Sequence, residues 1–196
     1  PGGLLSLVVS LFLFEYTRLD TWMGAMSAGL VEETGKLLAV VLFTRRWEKF
    51  PWILNGMLFG AAVGTGFSAF ESAGYVFMAI ASGEALGAEM TMTLRAFLSP
   101  FTHTIWTAAA AAALWRVKGD RPFAWSMMID RRFARIFGII VALHMIWNSP
   151  LAIPVIGGAM GHIGLRIGLG LIGWIVVFLL LQAGLKEVRR AQEAGE

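Results

Sequence analysis

The stretch AGLVEETGKLLAVVLF, residues 28–43, sets two adjacent acids, Glu32 and Glu33, and a base, Lys36, inside an apolar run long enough to enter a bilayer. Whether that run is a membrane span decides the fold, and composition answers first. Of 196 residues 57% are hydrophobic and 15% charged, with a mean hydropathy of +0.69, whereas soluble domains carry about 25% charged residues. The chain reads as an integral membrane protein. Apolar runs recur at 1–17, 21–43, 52–80, 93–115, 133–150 and 155–185, each near the roughly 20 residues that a helix needs to cross the hydrocarbon core. With no long linker, low-complexity tail or strand pattern, residues 1–196 read as a single all-α domain. The expected architecture is a polytopic bundle of about six transmembrane helices. The sequence opens on Pro1 and not on methionine, which leaves room for a signal peptide or an earlier span ahead of it. Cysteine is absent, so disulfides and thiolate chemistry are excluded and the redox compartment is left open.

Charge supplies an orientation. Arg45, Arg46 and Lys49 follow the second run, Arg116, Lys118, Arg121, Arg131, Arg132 and Arg135 separate the fourth from the fifth, and Lys186, Arg189 and Arg190 follow the sixth. They outnumber Arg18, Arg95 and Arg166 on the other side, so the positive-inside rule makes both termini cytoplasmic and turns the loops near 18, 85–92 and 151–166 outward. The net charge of +3 and the pI near 9.7 then follow from topology and anionic headgroups, and no nucleic-acid partner is needed. Glycines in GAAVGTG (60–66) and GHIGLRIGLG (161–170), and the alanines 108–113, have the small-residue spacing of close helix packing. Trp47, Trp52, Trp106, Trp115 and Trp125 mostly fall near run ends, where an aromatic belt is expected.

Ionisable groups inside spans are costly, at roughly 2.5–3.5 kcal/mol each at mid-bilayer, and mark cavities or sites. Here they are Glu32, Glu33, Lys36, Glu71, His103 and His144, with Asn148 beside the last. Counting along each run at about 1.5 Å per residue puts Glu32 roughly 16 Å, His103 roughly 15 Å, Glu71 roughly 13 Å and His144 roughly 9 Å below the outer edge. Four helices thus deliver polar groups to one layer in the outer half of the membrane. His144 and Asn148 share a helix face, and Glu32 and Lys36, four apart, have the spacing of an intrahelical ion pair that leaves Glu33 about 100° round the helix. Carboxylates and imidazoles together are the parts that activate a water, either through Zn²⁺ or with a glutamate as general base. Spacing alone does not specify hydrolysis, since the HExxH zinc signature is absent. The same buried cluster would also suit a proton or ion relay in a transporter. That alternative asks for internal repeats with broken helices, and the hydropathy shows no two-fold repeat.

EETGK (32–36), FSAFE (67–71), SPFTHTIW (99–106) and HMIWN (144–148) resemble, in the same order, the motifs of the PrsW family of intramembrane proteases, distantly similar to the CAAX prenyl endopeptidases and bacteriocin-processing enzymes. The resemblance covers residues 20–150. It departs at Ser72, where many relatives have asparagine, and in a short first span. It implies a multi-pass protein of a prokaryotic cell membrane that cuts a membrane-anchored substrate, an anti-sigma factor in characterised members, near the extracytoplasmic face. Glu32 and Glu33 match the glutamate pair, Lys36 the basic position, Glu71 the second acid, and His103, His144 and Asn148 the remaining motif positions. Two chemistries stay open. In one, Glu71, His103 and His144 hold Zn²⁺ while Glu32 or Glu33 transfers the proton. In the other, a glutamate and His144 activate the water directly, and Asn148 with His103 stabilises the oxyanion. His162 and Arg95 are read as a surface group and a headgroup anchor.

Overall fold

In the computed structural model, which describes residues 1–44, 50–98, 101–151 and 158–195, every regular element is helical. The α-helices are α1 (Gly2–Thr17), α2 (Asp20–Met23), α3 (Ser27–Thr44), α4 (Ile53–Ala81), α5 (Ala85–Leu98), α6 (His103–Lys118), α7 (Arg131–Trp147) and α8 (Gly158–Ala194), with 3-10 turns at Gly24–Met26 and Trp125–Ile129. The all-α expectation is met. Each apolar run of the sequence contains a long helix, and α5 is an additional one that the runs did not separate.

Local chemistry sets the boundaries. Arg18 closes α1 in the left-handed conformation, φ 50°, with its N–H donated to the Phe14 carbonyl. The path then turns, so that Gly2–Thr17 and Asp20–Thr44 are bent by 80°. Gly119, at φ 56°, ends α6 in a conformation that side chains disfavour. Asp130 caps α7 by accepting from the Arg132 backbone N–H at 2.8 Å.

Length limits which helices span. Among the described residues Ile53–Ala81 and Met160–Ala194 are long and apolar enough to cross a membrane, and a third span arises if the bent pair is one. Helices α6 and α7, of 16 and 17 residues, fall short of the roughly 20 that a straight crossing needs. The expected fourth run, 93–115, is in fact divided: α5 ends at Leu98 and α6 starts at His103 with Thr102 as its cap. His103 therefore stands at a helix mouth and not in the middle of a span, so its depth does not follow from counting back to Thr93. Arg45, Arg46, Trp47, Lys49 and residues 152–157 of the outward loop lie outside the described residues.

Small residues set the helix approach, as the spacing led one to expect. A Cβ on Gly60 would lie 2.3 Å from the Thr107 carbonyl oxygen, and one on Gly64 2.2 Å from that of His103. These glycines let α4 lie backbone to backbone on α6, whose alanines 108–113 are all buried. Gly29 does the same for α3 on α7, where its Cβ would be 2.6 Å from the Met145 amide. At one end of the bundle Arg116, Lys186 and Arg190 line a cleft of about 780 Å³ with Trp52 and Ile53, so the basic ends of α6 and α8 gather where α4 begins.

The aromatic-belt reading needs correction at two positions. Trp106 is wholly buried, and Trp115 is buried with its indole N–H donated to the Phe50 carbonyl at 2.9 Å. Both lie where α6 packs against its neighbours, so large rings there fill the core.

Candidate active site

Glu32, Glu33 and Lys36 project from α3 opposite His144 of α7 and His103 of α6, and all five are buried. The glycine contacts explain the convergence. Gly29 sits one turn before the glutamate pair and seats α3 on α7, while Gly64 draws the His103 backbone onto α4 about two turns before Glu71.

Lys36 Nζ lies 2.5 Å from Glu33 Oε1 and 2.8 Å from His103 Nδ1, and 4.5 Å above the Phe67 ring. The expected pairing with Glu32 does not form. Glu32 turns instead toward His144 Nε2, 3.8 Å from its Oε2, and the i, i+3 partner Glu33 takes the ammonium. Since the ammonium has only donors, His103 Nδ1 accepts, and a neutral ring then carries its proton on Nε2. That nitrogen is 3.0 Å from Glu71 Oε2. His144 is oriented from the opposite side, with Nδ1 2.8 Å from Glu33 Oε1. A ring that donates Nδ1–H to a carboxylate presents a bare Nε2, the arrangement that serves a metal ligand.

Glu71 has a further partner. Arg95 of α5 donates from Nη2 to Glu71 Oε2 and from Nε to Ser72 Oγ, the latter at 2.8 Å, and lies 4.5 Å over the Tyr75 ring. The position that departs from the PrsW-like pattern, Ser72, thus holds Arg95. Charge can now be balanced. Lys36 neutralises Glu33 and Arg95 neutralises Glu71, whereas Glu32 has no cationic side chain paired with it among the described residues, and its Oε2 is a buried atom without a hydrogen-bond partner. A buried carboxylate in that condition calls for a proton or a cation.

Glu32, His103 and His144 each offer one ligand atom, and these atoms all lie within 4.8 Å of one another. One carboxylate and two imidazoles are a donor set that zinc accepts in hydrolases. The residues present therefore fit a metal, with Glu32 in the place that the zinc version of the two open chemistries gives to Glu71. The cluster opens onto a cleft of about 390 Å³ whose wall includes Glu32, Glu71, Arg95, His103, His144 and Asn148. Glu33 and Lys36 lie behind that wall.

Two participants escaped the sequence reading. Arg95 reads from sequence as a headgroup anchor, because no spacing ties it to a glutamate 24 residues away. Trp106 reads as part of the belt, yet its ring centroid lies 5.7 Å from that of His103 and 4.6 Å from that of His144. A signal for Trp106 existed, because residues three apart share a helix face and it follows His103 by three. His162 stays apart from the cluster, with Nδ1 2.9 Å from the Leu151 carbonyl.

Comparison with curated proteins and with solved structures returned no match. The profile described as "PrsW family intramembrane metalloprotease" matches residues 3–181, a span that contains every residue of the cluster. The chain thus belongs to the PrsW family of intramembrane metalloproteases and is a peptidase acting on a membrane-protein substrate at the bilayer.

Proposed function

We propose that Glu32, His103 and His144 hold Zn²⁺ and that the cleft above them hydrolyses a peptide bond of a membrane-anchored protein. The observation that carries this reading is the Glu32 carboxylate, which is buried without a pairing cation beside two imidazoles. Bound there, zinc would supply Lewis acidity and a water acidified toward neutral pH. The protein's own groups do the rest. Glu33 holds His144 by Nδ1, and Lys36 pairs with Glu33. His103 would serve as a ligand through Nε2 by giving up its contact with Glu71 and carrying its one ring proton on Nδ1, with the Lys36 ammonium turned wholly to Glu33. Glu71 is then free to accept the proton of the attacking water and return it to the departing amide nitrogen. Arg95 and Asn148, both in the cleft wall, donate to the carbonyl oxygen as charge builds on it. Glu33, placed behind the wall, positions and does not act as the base.

The finer identity combines two sources: hydropathy and charge give a single domain over residues 1–196 with about six membrane helices and cytoplasmic termini, and the resemblance gives a multi-pass protein of a prokaryotic cell membrane that cuts an anti-sigma-factor-like substrate near the extracytoplasmic face. Gathering of Arg116, Lys186 and Arg190 at the end where α4 begins supports that orientation. The family match does not favour the transporter alternative. The test is Glu32→Gln, which keeps the shape and removes the charge. Loss of cleavage in a folded variant is expected, and a variant that still cleaves would reject the assignment.

A further inference from the structure

A second groove borders the site. Helices α1 and α4 touch at their glycines, where a Cβ on Gly66 would lie 3.0 Å from the Gly3 Cα. Beyond that contact a groove of about 270 Å³ runs between Leu7, Leu11 and Phe14 of α1 and Phe70, Gly74 and Met78 of α4. Its walls are otherwise mostly apolar, but Glu32 and Glu71 also line it, so the groove and the cleft share these two carboxylates as lining. Leu11 and Met78 are 59% and 67% exposed, on helices whose outward faces are apolar.

We infer that this groove seats an apolar, membrane-buried segment of the protein substrate and admits it sideways to the Glu32 and Glu71 end. The inference rests on the protease reading and adds the route and the docking surface. Two arguments select the occupant. An entrance walled by leucine, phenylalanine and methionine favours an apolar chain over a hydrated loop. Among apolar chains, a lipid tail offers the cleft no bond to cut, whereas a peptide segment brings to the Glu32 and Glu71 end the amide that the proposed site hydrolyses. A segment reaching the carboxylates is also one whose backbone has begun to leave its helix, which is tolerated only where polar partners are at hand.

Gly74 gives the test. A Cβ there meets nothing within 4 Å, and Gly74 lines the groove, so Gly74→Trp sets a bulky ring at the groove from an open backbone position. Gly168 of α8 is equally open and away from the groove, and Gly168→Trp controls for a bulky ring on an open helix face. With a tethered substrate in vesicles, Gly74→Trp is expected to raise KM about tenfold with kcat little changed, and Gly168→Trp to change neither. An unaltered KM in Gly74→Trp, or an equal rise in the control, would overturn the inference. A photo-cross-linker at Leu11 or Met78 reads docking independently of chemistry, so a fault in the catalytic assignment leaves this arm intact. Cross-links to the substrate's membrane segment support the proposal, and cross-links to phospholipid alone overturn it.

Discussion

Replacing Lys36 by methionine removes the cation from the centre of the cluster while keeping a flexible side chain of similar length. Lys36 is 0% exposed, so the change leaves the Glu33 carboxylate buried with His144 as its remaining side-chain partner, and His103 Nδ1 without its donor. Breaking one side of a buried pair costs about 3–5 kcal/mol, whereas replacing both partners with neutral groups of similar volume is often neutral or better. A Glu33→Gln change keeps a side-chain carbonyl oxygen that can accept from His144 Nδ1. The double variant Glu33→Gln/Lys36→Met should therefore unfold at nearly the wild-type free energy, and the two single costs should together exceed the double by about 6 kcal/mol or more. Denaturant titration in detergent micelles, followed by tryptophan fluorescence, measures all four proteins. Activity adds a second readout, because loss of a group that orients a metal ligand lowers activity about 10–100-fold, short of abolishing it. Additive unfolding costs would refute the pairing of Lys36 with Glu33. A complete loss of cleavage in the stable double variant would refute the positioning role of Glu33 and return it to the role of base.

Gly64→Val places a branched side chain against the His103 carbonyl, 2.2 Å from where a Cβ would stand, and should cut activity about 100-fold by displacing the imidazole. Gly138→Ala, where a Cβ meets nothing within 4 Å, should leave activity alone and stabilise α7 by up to about 1 kcal/mol, as a thermal melt with a cleavage assay would show. Hydrogen bonds from the Arg132 side chain and then its backbone hold the Asp130 carboxyl down at about 2 from its ordinary 3.8. A depressed carboxyl stabilises above its unfolded value and loses that contribution as pH falls through the folded one. Hydrogen exchange at the first turn of α7 should accordingly quicken between about pH 4 and 2, and Asp130→Asn should show no such step.

Much of the site was legible because membrane insertion makes buried charge expensive. Glu32, Glu33, Lys36, Glu71, His103 and His144 stood out against apolar neighbours, and the structure brings them together. Their pairings were not legible. Adjacent Glu32 and Glu33 are equally suited to Lys36 by spacing, and the choice is made by His144 arriving from another helix. Arg95 was hidden for a related reason: it comes from α5, a segment merged in the sequence reading with the span that follows, so its approach to Glu71 had no periodic signal. The division at Leu98–His103 was missed because hydropathy averages over a break of a few residues. Trp106 shows the opposite limit, since grouping it with the belt tryptophans by residue type overlooked its place inside the run 93–115 and its spacing of three from His103.

In the proposed mechanism the Glu32 carboxylate and the His103 and His144 imidazoles bind a catalytic metal. Elemental analysis of the purified protein by mass spectrometry, with cleavage measured before chelation, after it and after zinc is returned, tests this most directly. Stoichiometric zinc that is lost from both Glu32→Gln and His144→Ala, with activity falling on chelation and recovering with zinc, is the expected result. Full activity in metal-free protein would contradict it.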